Sequence, residues 1–285
     1  MLPPWFWAYC AINTNTVVGD GRLASEQRAI GAVSALDMRG PLAVEVRVGE
    51  APSLRIEADA NLLPLIRTEV VDGTLRLAVK GKVRTDHDLR VIWTVPQLSQ
   101  VNAAGSGNLN VTGLKGGPLT LTKSGSGDTR LTGRVGTFNV EASGSGDIDA
   151  HELHSGNANL SLSGSGSIDM GDVTAEALNV KVRGSGELRA SGTVAQLNAK
   201  VAGSGEARLK SLVTQHAELL TTGSGDIAAQ ASRSLIAQTR GSGRITVYGN
   251  PARRDITGRH VEVVDQADGP AYKMWSSASG PNISR

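Results

Sequence analysis

A single cysteine, Cys10, stands among the 285 residues, so no disulfide can form within the chain. Aromatic residues make up only 3% of it, and the core must therefore be built from Val, Leu, Ile and Ala. The net charge is +2, too mild a balance to argue for a nucleic-acid partner. No run reaches the 18 or so apolar residues that a membrane-spanning helix requires, and none is expected. Glycine, by contrast, is abundant at 35 residues. These glycines do not fall at every third position, which excludes collagen.

They fall instead in a longer rhythm. Gly-Ser-Gly occurs eight times, with its glycines at Gly105 and Gly107, Gly125 and Gly127, Gly144 and Gly146, Gly164 and Gly166, Gly184 and Gly186, Gly203 and Gly205, Gly223 and Gly225, and Gly241 and Gly243. Copies start 18 to 20 residues apart, a regularity that marks a repeat architecture. Four residues before each copy stand Val101, Leu121, Val140, Leu160, Val180, Ala199, Leu219 and Ala237. Four residues after come Leu109, Thr129, Ile148, Ile168, Leu188, Ala207, Ile227 and Ile245, with Thr129 the one polar exception. Positions two residues further out are apolar again, with polar residues between. Alternation of that kind marks half-buried strands.

Each period is thus expected to hold two short strands joined through Gly-Ser-Gly, with a second turn, often carrying Gly113, Gly133 or Gly192, closing the unit. Two architectures fit: a parallel β-helix with one coil per period, or an antiparallel meander. The coil explains more, because stacking one turn on itself demands the same small residues at the same corner in every copy. Glycine permits positive φ there at little steric cost, and the serine hydroxyls could form a ladder between coils. Eight coils at the strand spacing give a rod of about 35–40 Å.

The residue after each corner is Asn108, Asp128, Asp147, Ser167, Glu187, Glu206, Asp226 or Arg244. Six of these, Asn108, Asp128, Asp147, Glu187, Glu206 and Asp226, form a candidate outer-face row, largely acidic. Calcium binding by this row is disfavoured, since the nine-residue β-roll pattern is absent and one carboxylate per coil supplies few of the six to eight oxygens the ion takes. Arg130, Arg189 and Arg208 follow two residues after Asp128, Glu187 and Glu206, where they would neutralise them as solvated rim charge. The pair His151 and His154 lacks the H-E-x-x-H spacing of a zinc-protease helix. No copy of Gly-Ser-Gly continues into a phosphate-binding loop, and eight copies mark a structural element. Parallel β-helices also serve polysaccharide lyases and hydrolases, so an enzyme is the rival reading. Its carboxylates would have to converge, whereas here the repeat spreads them evenly. No catalytic residue, cofactor or metal ligand is assigned.

The repeated Gly-Ser-Gly followed by Asp, Asn or Glu and then an aliphatic residue resembles the putative auto-transporter adhesin family with a head GIN domain. The lead-in "LRVIWTVPQLSQVNAAGSG" from Leu89 and the closing "GSGRITVYGNP" from Gly241 are similar as well. The resemblance covers about Ala29 to Val263. It implies an all-β, single-stranded, right-handed parallel β-helix with about 20 residues per coil. It also implies a place in the bacterial cell envelope (periplasm, outer-membrane surface or secreted) and no known catalytic residues. A non-enzymatic structural or binding module is expected, with an unidentified protein or glycan partner and self-association through the ends or flat sides of the rod.

Five segments follow. Residues 1–28 begin with an apolar stretch that lacks a basic start and reads as the remnant of an export signal or as a loosely packed segment. Residues 29–104 form a β-rich lead-in and cap, including an Asp72-Gly73 hairpin turn and one short helical turn in "ANLLPLI". Residues 105–250 are the repeat, 251–264 a closing strand, and 265–285 a flexible tail.

Overall fold

The computed structural model describes residues 16–49 and 51–265. The apolar start and nearly all of the segment after Val264 lie outside them. The repeat forms a parallel β-solenoid, one coil to each period. Strands leading into the corner stack in register, with Val140 beside Leu160, then Val180, Ala199, Leu219 and Ala237. Strands leaving the corner stack likewise, from Ile148 through Ile168, Leu188, Ala207 and Ile227 to Ile245. These side chains are essentially inaccessible and belong to one continuous cluster running from Leu36 to Val247. Burying an aliphatic side chain of this kind contributes about 1.5–3 kcal/mol, and each coil repeats the gain.

The central coils have three paired sides, where the sequence implied two strands and a closing turn. Gly133 pairs with Leu153, Ser155 with Val173, Val173 with Gly192, and Gly192 with Leu212. The third side is short and interrupted by register shifts, as between Ser155 and Ala158, so it leaves only a faint alternation in the sequence. Gly133 and Gly192 open it at φ of +119° and +121°.

The stack extends past the Gly-Ser-Gly copies at both ends. Ala35–Arg39 and Leu42–Val48 form a coil whose corner is Gly40, and the strands Gln100–Gly105 and Leu109–Lys115 stack upon it. Gly107 donates its N–H to the Gly40 carbonyl at 3.0 Å, and Gly40 donates to Ala104 at 3.0 Å. Because Pro41 stands where the serine would be, the Gly-Ser-Gly pattern does not mark this coil. On its other side lie Thr74–Val79 and Leu89–Val95, again parallel and in register. The chain therefore lays an inner coil first, doubles back to build the outermost one, and returns through Pro96 to continue the rod. At the far end Arg253–Thr257 and Val261–Val264 complete one further coil around Gly258.

An antiparallel cap closes the lead-in end. Ser53–Asp59 pairs with Leu89–Val95, and Leu23–Arg28 pairs with Ser53–Asp59. Ile66–Val71 turns back onto Thr74–Val79 through Asp72 and Gly73, at φ of +49° and +73°, a hairpin turn of the mirror-image class that suits strand twist. One 3-10 turn spans Leu63–Leu65, where the sequence places a short helical turn. The Arg28 guanidinium donates to the carbonyls of Ile66 at 2.5 Å and Leu63 at 3.0 Å, fastening that turn to the cap. The fully buried Asp59 carboxylate accepts from Thr85 at 2.6 Å and meets His87 Nδ1 at 2.9 Å. These bonds tie the connection between the two strands of the outermost coil to the cap.

Candidate binding faces

The two glycines of each corner do different work. Gly105, Gly125, Gly144, Gly164, Gly184, Gly203, Gly223 and Gly241 all have φ between +102° and +144°, a conformation L side chains rarely adopt. The second glycine is confined by contact instead: a Cβ on Gly166 would lie 2.4 Å from the Gly146 carbonyl oxygen. The serine between them donates its backbone N–H to the first glycine of the preceding coil, at 2.9 Å from Ser204 to Gly184 and 3.0 Å from Ser165 to Gly144. The serine hydroxyls do not form the ladder their spacing allows. They point to solvent, and only Ser224 and Ser242 lie within bonding distance, at 3.1 Å.

The candidate row beside the corners divides by side-chain length. Short members stitch coil to coil. Asn108 Oδ1 accepts the Asp128 N–H at 2.9 Å, Asp128 that of Asp147 at 3.0 Å, Asp147 that of Ser167 at 2.8 Å, and Asp226 that of Arg244 at 2.7 Å. The longer Glu187 and Glu206 meet arginines, with Arg189 and Arg208 both 2.9 Å from Glu187 and Arg208 2.8 Å from Glu206. Arg130 departs from the expected pattern. With Asp128 engaged by the next coil's amide, Arg130 reaches Glu152 at 3.0 Å and Asp149 at 3.5 Å. On the face leaving the corner the longer carboxylates are thus paired with arginines and the short ones with backbone amides. The first coils of that face enclose a shallow depression of about 520 Å³, lined among others by Glu45, Arg90, Asn110, Arg130 and Asp149.

His151 and His154 are both exposed and have different partners. His151 Nδ1 hydrogen-bonds Asp149, while His154 lies 3.5 Å from Asp172. Among the described residues no group of three or more His, Cys, Asp or Glu side chains is placed to hold a metal. The Asp149 hydrogen bond, then its charge, raises the His151 pKa above its ordinary value. A raised folded-state pKa adds stability below the unfolded value that is lost as pH rises through the folded one. NMR titration should therefore find the His151 midpoint above that of His in a free peptide, and Asp149→Asn should lower it. An unchanged midpoint would discount the contact.

The face leading into the corner is built differently. Outward positions five residues before the glycine carry Asn139, Asn159, Asn179 and Asn198 on successive coils. Asn159 Nδ2 donates to Asn139 Oδ1 at 2.8 Å, and Asn179 to Asn159 at 2.8 Å, forming an amide ladder. Beside it stand Lys181, Arg183 and Lys200, and together these residues line an open cleft of about 660 Å³.

One inward position on this face escapes the sequence reading, which stopped at the residue four before the corner. Two residues before it the inner row runs Ala103, Lys123, Ala142, Leu162, Val182, Val201, Thr221 and Thr239. Continuing the alternation one step would have found Lys123. Its side chain is buried at 3% exposure, and its Nζ has no hydrogen-bond partner. Burial pushes its pKa down, against a smaller upward pull from Asp128 and Asp147. A depressed lysine pKa means the unfolded chain binds more protons between the folded and unfolded values, so stability rises with pH across that window. Replacing this lysine should therefore stabilise the protein at neutral pH. Lys123→Met is expected to raise unfolding stability by about 1–3 kcal/mol, with the gain shrinking as pH approaches the ordinary lysine value. Urea melts at pH 7 and pH 10 test this, and destabilisation at pH 7 would refute it.

Stacked three-sided coils with identical glycine corners, closed at one end by an antiparallel cap, define a β-solenoid of the kind that presents regular outer faces. The chain belongs to the family described as "Putative auto-transporter adhesin, head GIN domain", whose model matches residues 33–171 and 150–251. Solved structures share the fold. A putative adhesin from Parabacteroides merdae has a TM-score of 0.69 at 22% identity, covering 87% of this chain and 99% of that one. A putative adhesin from Parabacteroides distasonis has a TM-score of 0.64 at 22% identity, covering 88% of this chain and 100% of its own. A putative lipid binding protein from the same species scores 0.61 at 22% identity, with 88% and 100% covered. No curated protein matches the chain.

Proposed function

We propose that the chain is a non-enzymatic binding module of the bacterial cell envelope, exported and acting by display. The supporting observation is the in-register amide ladder of Asn139, Asn159 and Asn179, in which a rigid core holds like groups one coil apart on an outer face. Such an array binds through many weak contacts rather than one deep pocket, as multivalent recognition does. Similarity to proteins described as adhesins supports the same reading. The corner glycines shape the backbone, and the acidic row stitches coils and balances charge. Self-association through the flat sides or ends of the rod belongs to this proposal. Light scattering at micromolar concentration tests it, and a clean monomer would remove it.

Binding itself is tested by presenting the full chain to an array of glycans and matrix proteins. Reproducible capture by a defined ligand class supports display, and an array blank throughout opposes it. A reducing-end assay on polysaccharides tests the rival. Turnover abolished by one acid-to-amide change would establish a polysaccharide-cleaving enzyme instead.

A further inference from the structure

We infer that the cleft on the face leading into the corners binds an anionic polysaccharide, with Lys181, Arg183 and Lys200 as its charge-reading groups. The inference rests on the display reading and names the ligand class for it. Lys181 and Lys200 are register partners on adjacent coils, one strand spacing or about 4.8 Å apart at the backbone. Like charges directly opposite each other destabilise a sheet. Arg183 follows Lys181 on the same strand and the same outward face, adding a third positive charge. Among the described residues none of the three forms an ion pair, whereas Arg189 and Arg208 on the neighbouring face are each held by a carboxylate. Glu141 is the sole carboxylate lining the cleft, and its register partner Ser161 separates it by a further coil from Lys181. The cleft therefore keeps a net positive charge that the fold leaves uncompensated.

The amide ladder narrows the ligand class. Asn159 and Asn179 each spend one Nδ2 hydrogen on the preceding asparagine, which leaves each a second N–H to donate and each carbonyl oxygen at least one lone pair to accept with. Amides that both donate and accept, repeated at the coil spacing beside fixed cations, match a polymer carrying hydroxyls along its length and a carboxylate at intervals. A lipid headgroup layer would meet the cations but offer little to the ladder. No aromatic side chain lines the cleft, so attraction comes from charge and amide contacts and is sensitive to salt.

The test uses the full chain with polygalacturonate, dextran and phosphatidylglycerol vesicles, in low and high salt. Polygalacturonate should bind at low salt and be released at high salt, with dextran and vesicles bound weakly or not at all. The double variant Lys181→Gln/Lys200→Gln should weaken polygalacturonate binding by about fivefold or more. Arg189→Gln/Arg208→Gln removes the same charge from the neighbouring face and should leave it unchanged. Equal loss in both variants, no binding by the unaltered chain, or preference for vesicles or dextran would overturn the inference. A chain captured by matrix proteins yet indifferent to polygalacturonate refutes this ligand while leaving the display reading standing.

Discussion

Gly144→Val should destabilise the protein by about 3–5 kcal/mol and, in many conditions, prevent accumulation of folded chain. Two independent effects add. Gly144 has φ +102°, and a side chain there would place its Cβ 2.3 Å from the Gly125 carbonyl oxygen and 2.8 Å from its nitrogen. Those are backbone atoms of the coil beneath, fixed by the bond from Ser145 N–H to the Gly125 carbonyl at 3.1 Å. Neither coil can move without breaking the stack. The intervening residue supplies the control. Ser145 is exposed and contributes through its backbone, so Ser145→Ala should change stability by less than about 0.5 kcal/mol. Urea denaturation of the three proteins decides the matter, and a tolerated valine would show that the corners are not closely stacked.

Phe138→Ala carries the second large effect, about 3–5 kcal/mol. Phe138 is wholly buried and is the one aromatic residue between Gly105 and Gly243. It lies between Leu119 on one coil and Ala158 on the next. The small Ala158 accommodates the ring's bulk, so truncation leaves a void that neither neighbour can fill. Coils touch only adjacent coils, and a weak coil in the middle should therefore uncouple the two halves of the rod. Hydrogen exchange should show protection falling first across 119–164, with the lead-in cap less affected. A loss below about 1 kcal/mol, or a uniform fall along the chain, would contradict this packing.

The repeat was legible because stacking forces one solution on every coil. Gly105 through Gly243 keep their spacing since each corner must fit the one below, and inward positions stay aliphatic since each lies over another. Where that constraint relaxes, the sequence falls silent. Gly40 turns a coil with Pro41 at the serine position, and proline has no N–H to donate, so the corner can be turned without the bond each serine makes to the coil beneath. The outermost coil at Thr74–Val95 is laid down out of order, and no local pattern encodes which neighbour a strand will choose. The third side of the central coils is short and bulged, so alternation there is too brief to read. Among the candidate residues, spacing alone could not tell Asp from Glu in use. Reach decides that: the short carboxylates meet the next coil's amide, while Glu187 and Glu206 extend to Arg189 and Arg208. Nothing in the repeat spacing marks Lys181 and Lys200. Only the register that makes them neighbours without an acid between them distinguishes them.

Engineered disulfides along the asparagine ladder test the stacking most directly. In a chain with Cys10→Ser, the pair Asn159→Cys and Asn179→Cys occupies register partners on successive coils, and Asn159→Cys with Asn198→Cys skips one. Adjacent strands lie about 4.8 Å apart, within disulfide reach, and alternate ones at about twice that, beyond it. Rapid oxidation of the first pair in the native protein and none of the second is the predicted result. Failure of the first pair, or equal closure of both, would contradict one parallel coil per twenty residues.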